Sequence, residues 1–319
     1  MMPSEAEATP HLECNPSMSW ILLTIFSAFF LGLYEVSKKL AVNANAVAPT
    51  LFFAVLTNAV AWLPFVAWSA VSPDSLPHPL LQVESLSWRE HGLLAFKSLL
   101  VGISWALTYA SLKQLPISIA SPIRSTGPLW AIFIATTLWG ERPNAWQWAG
   151  ILVLLGSIYA YSLVGRLEGI HFHRDRWIGM LALATLLSSC SGLYDKYLLQ
   201  NAGLDTSTVQ AWFSIDLVLV VLPGFCVWFA RHRESQPFSW RWSILAIGLY
   251  LLVSDFLYFT ALEQQGALIS LISPLRRVSV IISFLLGIYL FEESYLRRKS
   301  ACLAMLLFGV ALISIAAPR

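Results

Sequence analysis

Long runs of apolar residues with few or no charges recur along the chain, and they predict transmembrane helices. A helix needs about 20 mostly apolar residues to cross a bilayer, and ten runs come close to or exceed that length. They span residues 18–40, 48–71, 91–112, 117–140, 143–165, 177–199, 206–230, 242–262, 267–291 and 300–318. The pattern therefore predicts an all-α integral membrane protein with ten transmembrane helices.

The composition of the 319 residues supports a membrane protein and excludes several soluble classes. Apolar residues make up 57% of the chain and charged residues only 12%, whereas a soluble domain carries about 25% charged residues. The net charge of +2 comes without the clustered Lys and Arg of a nucleic-acid-binding protein. We therefore expect a surrounding lipid bilayer, no nucleic-acid partner, and the plasma or inner membrane as the location if the source is prokaryotic.

A short acidic leader precedes the first run, and a polar segment divides the chain. The leader, residues 1–17, contains Glu but no Lys or Arg, whereas a cleavable signal needs a basic region before its apolar core. We therefore expect a disordered tail followed by a true membrane span. The polar segment predicts two domains and a linker, over residues 18–166, 177–318 and 167–176 respectively.

The two halves of the chain resemble each other at an offset of 152 residues. Seven of the 25 residues from 117 to 141 are identical to those 152 positions later. The matches include Ser-Pro-x-Arg and a terminal Glu, which chance rarely repeats in apolar helices. Gly32-Leu-Tyr-Glu35 is likewise similar to Gly192-Leu-Tyr-Asp195. Because five helices per repeat is an odd number, the sequence predicts inverted repeats, which are typical of secondary transporters.

These motifs resemble the EamA family of the drug/metabolite transporter superfamily. Ser118-Ile-Ala-Ser-Pro122 leads to Trp139-Gly-Glu141, and Ser270-Leu-Ile-Ser-Pro274 leads to Phe291-Glu-Glu293. Helices 3 and 8 end in Ser111-Leu-Lys113 and Ala261-Leu-Glu263. The resemblance covers about residues 18–317 and implies a ten-helix transporter with a cavity lined by helices 1, 3, 4, 6, 8 and 9. The basic residues of helices 4 and 9 depart from many members of the family.

Charged residues inside the apolar runs mark the expected substrate site. A charge in the hydrocarbon costs about 2.5–3.5 kcal/mol on insertion scales and is a functional-site hypothesis by default. Arg124 and Arg276 are repeat-equivalent, and Ser121 and Ser273 share their helix faces at i, i+3 spacing. Arginine binds carboxylate and phosphate groups in bidentate geometry, so at least one arginine is expected to meet an anionic substrate group. The alternative is that Glu35, Asp195, Asp216 and Asp255 neutralise the arginines and hold the helices together. The expected set also contains Arg277, Glu35, Asp195, Asp255, Tyr34 and Tyr194.

Three further expectations concern the surroundings of these arginines. Pro122 and its repeat equivalent are expected to break their helices locally, because proline lacks the backbone N–H. Asp255 or Asp216 is expected to hold Arg277 and to leave Arg276 free for substrate. The glutamates that end helices 4 and 9, Glu141 and Glu293, are expected to cap or pair locally with Arg142 or Arg297.

Two other functions stay open at this point. A cationic or lipophilic drug or amine is the second substrate class, held by Glu35, Asp195 or Asp255 with Trp105 and Tyr258. An intramembrane hydrolase would use Asp216 and Asp255. No His-Glu-x-x-His, Gly-x-Ser-x-Gly or phosphate-loop motif occurs, and the cysteines form no close pair that suggests a zinc site. We therefore expect a transporter, not an enzyme or a nucleotide-driven pump, with neither cofactor nor metal.

The orientation and the assembly are predicted from charge and from the repeat. The odd-numbered loops carry twelve Lys and Arg and the other side carries four, which places both termini outside by the positive-inside rule. The family resemblance instead implies cytoplasmic termini. A small-molecule substrate is the expected partner; a monomer is sufficient for it, and a homodimer is compatible with the sequence.

Overall fold

The computed structural model describes residues 16–138, 144–263, 272 and 275–315. The regular elements among these residues are all helical, which confirms the all-α class. The helices are α1 Pro16–Val42, α2 Val47–Val71, α3 Trp88–Gln114, α4 Ile117–Arg124, α5 Gly127–Leu138, α6 Ala145–Leu167, α7 Arg176–Gln200, α8 Thr206–Val227, α9 Trp242–Glu263, α10 Ser279–Phe291 and α11 Leu296–Ile315. Short helical turns also occur at Pro73–Ser75, Pro79–Leu81 and Trp228–His232.

Six of these helical segments are long and apolar enough to cross a membrane. They are Trp20–Val42, Val47–Val71, Trp88–Gln114, Ala145–Leu167, Arg176–Leu199 and Thr206–His232. Each coincides with one of the predicted runs, so the multi-pass character of the chain is confirmed. The run 117–140 is divided between α4 and α5, and the run 267–291 lies partly outside the described residues.

Three helix borders lie near the predicted segment borders. Helix α1 begins at Pro16, two residues inside the predicted tail, and residues 1–15 lie outside the described part. Helix α6 ends at Leu167 and α7 begins at Arg176. The non-helical stretch between them therefore coincides with the predicted linker.

A break interrupts the helix at equivalent places in the two halves. Helix α4 ends at Arg124, a two-residue turn follows, and α5 begins at Gly127. In the second half residues 275–277 are helical, Val278 is a turn and α10 begins at Ser279, 152 residues after Gly127. Pro122 itself lies within α4, so the expected break does not fall at this proline but follows at Ser125 and Thr126. Pro128 contributes to it, because a proline ring clashes with the carbonyl four residues earlier and is tolerated only in a first helical turn.

The helices pack so that α4 lies inside the bundle. Helix α1 packs against α9 and α10, α3 against α7 and α8, α2 against α8 and α9, and α6 against α11. Helix α4 contacts α7 and α10, and its residues from Ile117 to Ile123 are all buried. This half-helix therefore carries Arg124 into the interior of the protein.

Candidate substrate site

The first charged group of the interior joins α1 to α4. The Glu35 carboxylate accepts a hydrogen bond from Lys38 Nζ at 2.8 Å and a second from the Arg124 guanidinium. The side chains are 12%, 1% and 20% exposed, respectively. Lys38 Nζ also lies 4.1 Å from the centre of the buried Tyr34 ring. The structure thus brings the predicted Tyr34, Glu35 and Arg124 together around a single carboxylate and two cations.

The second charged group joins α9 to residues 275–277. Arg276 Nη2 donates to Asp255 Oδ1 at 2.5 Å and lies 3.3 Å from Ser254 Oγ, and its Nε lies 3.3 Å from Ser27 Oγ. The guanidinium also lies 4.1 Å from the centre of the Tyr258 ring. Arg276 therefore already has a carboxylate, two hydroxyls and an aromatic face as partners.

Arg277 differs from the other two arginines. No carboxylate oxygen of the described residues lies within 4.0 Å of its guanidinium. The expectation that Asp255 or Asp216 holds Arg277 and leaves Arg276 free is wrong, since Asp255 pairs with Arg276. Adjacent residues point about 100° apart on a helix, and it is Arg276 that faces α9.

The Arg277 guanidinium lies at the break between α4 and α5. A β-carbon placed on Gly127, the first residue of α5, would lie 3.4 Å from Arg277 Nη2 and 3.4 Å from Ser189 Oγ. Ser189 donates to the Gly127 carbonyl at 3.1 Å, which holds α7 against this position. Arg277 also interacts electrostatically with Arg276 and Arg124. The three arginines therefore belong to one region of positive potential.

Positive charge exceeds negative charge in this region. Among the described residues, the cations Lys38, Arg124, Arg276 and Arg277 have only the carboxylates Glu35 and Asp255 within 4.0 Å. We call these six residues the central cluster. An excess of cations attracts an anionic group, and arginine matches carboxylate or phosphate geometry.

Asp195 and Tyr194 make their contacts with α3. Asp195 Oδ1 lies 2.6 Å from the Nζ of Lys97, and Tyr194 donates to the Leu93 carbonyl at 3.3 Å. Tyr194 also stacks on Tyr197. The structure therefore assigns these two predicted site residues to the α3–α7 interface, without a contact to Arg276 among those observed.

Of the two serines predicted for the site, Ser121 lies among the described residues. Ser121 Oγ is hydrogen-bonded to Ser283 Oγ at 2.6 Å, and both residues are buried. Ser121 therefore joins α4 to α10. Ser273 lies outside the described residues.

A second polar group lies where α4 begins. Glu293 Oε1 accepts from the Ile117 amide at 2.8 Å, and Oε2 accepts from the Ser118 amide at 3.2 Å and from the Ser118 hydroxyl. Lys299 Nζ lies 2.7 Å from Glu168 and 3.4 Å from Glu293, and donates to Ser118 Oγ at 2.8 Å. We call Ser118, Glu168, Glu293 and Lys299 the edge cluster. Glu293 thus caps a helix of the other half, and the expected local pairing with Arg297 is wrong; Glu141 and Arg142 lie outside the described residues.

Four lysines near the ends of predicted spans are buried, although the sequence analysis did not place them in the site: Lys38, Lys39, Lys97 and Lys299. The i, i+3 spacing from Glu35 is the one signal that indicates the Lys38 pair. Lys39 Nζ donates to the carbonyls of Leu112 and Leu115 at 2.6 and 2.7 Å, and so caps the end of α3. The sequence shows no signal for this contact, because it joins residues more than seventy positions apart.

The long apolar helices define a multi-pass integral membrane protein, and the buried charges beside a broken helix fit a transporter. Residues 18–163 match the model of the EamA-like transporter family, in agreement with the resemblance seen in the motifs. This match supports a membrane transporter of the drug/metabolite type and does not point to an enzyme. A crystal structure of a protein with 16% identity has the same fold, with a TM-score of 0.56 over 95% of this chain and 99% of that chain. No curated protein matches the chain by sequence.

Proposed function

We propose that the chain is a secondary transporter, an exporter or exchanger, of a small organic metabolite that carries a carboxylate or phosphate. The observation that carries this proposal is Arg277, which has no carboxylate within 4.0 Å among the described residues. A cation in the membrane interior is costly when it is unpaired. A substrate anion would supply the missing charge and would be released when the site opens.

The position of Arg277 supports an anionic ligand for a second reason. Its guanidinium lies beside Gly127, where α5 begins. The positive end of the α5 dipole favours an anion at this position. Pro128 has no N–H and the Leu129 amide already donates to the Thr126 carbonyl at 2.9 Å, so the dipole is the main contribution of this helix end. A carboxylate or phosphate beside Gly127 would meet both the guanidinium and this helix end.

The packing supports ten helices in two inverted repeats around this site. Exchanging the halves replaces α1 by α7, α2 by α8 and α3 by α9. The α1–α9 contact then becomes the α7–α3 contact, and α2–α9 becomes α8–α3, and all four are present. A pseudo-two-fold axis in the membrane plane produces such a pattern, and substrates of inverted-repeat transporters bind near that axis at the bilayer midplane.

A cationic substrate is the second candidate, and Asp216 is the residue that favours it. The Oδ2 atom of Asp216 has no hydrogen-bond partner within the described residues. The three carboxylates that the sequence suggested for a cation, Glu35, Asp195 and Asp255, already pair with Arg124, Lys97 and Arg276 respectively. The ion pair between Arg276 and Asp255 argues against a hydrolase built on Asp216 and Asp255. The two carboxyls of an aspartyl dyad must share a proton with each other.

The neighbouring arginines offer a matched test. We expect purified protein to gain thermal stability from organic carboxylates or phosphates and not from organic cations, because only bound ligands raise the melting temperature. Arg277→Gln should abolish the anion-induced shift and transport of the same anion into proteoliposomes. Arg276→Gln should instead lower the melting temperature of the ligand-free protein, because the part-buried Asp255 loses its partner.

The opposite pattern would contradict this assignment. An Arg277→Gln variant that retains the anion-induced shift would show that Arg277 is not the binding cation. A shift produced by cations, and lost on Asp216→Asn, would favour the second candidate.

A further inference from the structure

The edge cluster occupies a mechanically important place in the fold. It lies at the start of α4, and Arg124 of the central cluster lies at the other end of the same helix. Eight helical residues span about 12 Å, so this buried half-helix links the two clusters directly. A change in how Glu293 holds the start of α4 is therefore transmitted toward the Glu35–Arg124 pair.

Both oxygens of Glu293 are occupied as acceptors. Oε1 accepts from the Ile117 amide, and Oε2 accepts from Ser118 and faces Lys299. A carboxylic acid keeps only one full acceptor oxygen and gains an O–H that needs an acceptor of its own. A proton on either oxygen therefore displaces at least one donor that now holds α4.

The edge cluster is neutral when Glu293 is protonated and carries one net negative charge when Glu293 is ionised. Lys299 is fully buried and has Glu168 as a closer partner, at 2.7 Å, than Glu293, at 3.4 Å. When Glu293 is protonated, Lys299 and Glu168 remain as a neutral pair. When Glu293 is ionised, its charge faces Lys299, the positive end of the α4 dipole and, more remotely, Lys39 of α1.

We propose that Glu293 is a proton-binding site that couples proton uptake to release of the start of α4. The inference rests on transport as the activity and is independent of the substrate class. One proton from water binds the carboxylate, the cap on Ile117 and Ser118 weakens, and α4 becomes free to move with Arg124. Loss of the proton restores the cap.

The electrostatics of the site agree with this role. Burial raises the pKa of the Glu293 carboxyl above its ordinary value, although Lys299 and the amides of Ile117 and Ser118 oppose the shift. The carboxyl therefore takes up its proton at a higher pH than a solvated glutamate does. Glu292, the next residue back along the chain, is exposed and serves as a matched control.

Infrared difference spectra of the full chain in lipid nanodiscs, recorded across a pH titration without substrate, test the proton site directly. The band of a protonated buried carboxyl should appear on acidification in the parent protein and in Glu292→Gln, and should be missing in Glu293→Gln. A band that persists in Glu293→Gln would overturn the proposal.

Amide hydrogen exchange at one fixed pH tests the coupling to α4. Glu293→Gln keeps the shape of the side chain but removes its charge, so the amides of Ile117 and Ser118 should exchange about tenfold faster, in line with a lost helix cap. Glu292→Gln should leave their exchange unchanged. Equal exchange in Glu293→Gln and the parent would overturn the proposal.

A third variant keeps the proposal testable if Glu293→Gln does not fold. Glu168→Gln leaves Lys299 with Glu293 as its remaining carboxylate, so the infrared band should appear at a lower pH than in the parent. An unchanged or higher midpoint would overturn the proposal. Because none of these measurements uses a substrate, their failure is separate from a failure of the anionic substrate class.

Discussion

A single glycine sets how closely α10 approaches the start of α4. A β-carbon on Gly287 would lie 2.1 Å from Cγ2 of Ile117 and 3.9 Å from Oε1 of Glu293. Ile117 is β-branched and fully buried, so it has little freedom to move away. The absence of a side chain at Gly287 is thus a condition for the hydrogen bond between Glu293 and the Ile117 amide.

Gly287→Ala should destabilise the protein by about 1–3 kcal/mol, the usual cost of adding a methyl group to a filled core. The measurement is thermal or denaturant unfolding in detergent. Gly192→Ala in α7 is the control, because a β-carbon on Gly192 would meet nothing within 4 Å. Equal stability of the two variants would show that the α4–α10 contact is looser than the structure indicates.

At the scale of helices, α1 and α4 are joined by a group of two cations and one carboxylate. Glu35 holds two cations, Lys38 from its own helix and Arg124 from α4. Removal of the carboxylate leaves two buried cations without a partner, whereas removal of Lys38 leaves one carboxylate and one arginine. The group is therefore much more sensitive to the loss of Glu35 than to the loss of Lys38.

Glu35→Gln should destabilise the protein by about 3–5 kcal/mol, as expected when one partner of a buried pair is removed. Lys38→Met should cost much less, because the Glu35–Arg124 pair stays intact and the methionine fills a similar volume. Melting temperatures of both variants in the same detergent give the comparison. A greater loss for Lys38→Met would contradict the assignment of Glu35 as the shared carboxylate.

The helices were largely predictable from the sequence, whereas the partners of the charged residues were not. Runs of apolar residues and the Ser-Pro motifs predict where helices begin and break, because both effects act locally. Which of the two arginines, Arg276 or Arg277, pairs with Asp255 depends on how their helix is rotated relative to α9. Lys299 follows two basic residues and suggests a solvated end, yet the packing of α6 and α11 buries it.

At the scale of the whole molecule, the buried lysines change the excess of basic residues on one side of the membrane only slightly. Without the buried Lys38, Lys39, Lys97 and Lys299, the odd-numbered loops still hold nine Lys and Arg against three on the other side. Exposed basic residues near span ends remain on the cytoplasmic side by the positive-inside rule. The bias therefore continues to place the loop after α1 in the cytoplasm and both termini outside.

The inverted repeat gives this orientation a sharp test. Asn43 follows α1 and Asn201 follows the equivalent helix α7, and both are exposed. Five predicted crossings separate them, so they should lie on opposite sides of the membrane. Single-cysteine variants Asn43→Cys and Asn201→Cys, made after replacing the four native cysteines, can be labelled in intact cells with a membrane-impermeant maleimide.

We expect Asn201→Cys to be labelled from outside and Asn43→Cys only after permeabilisation, because the charge bias places the loop after α1 in the cytoplasm. The reverse pattern would keep the inverted repeat and place the termini in the cytoplasm, as the family resemblance implies. Labelling of both cysteines from the same side would contradict the inversion itself, since an odd number of crossings cannot return the chain to the side it left.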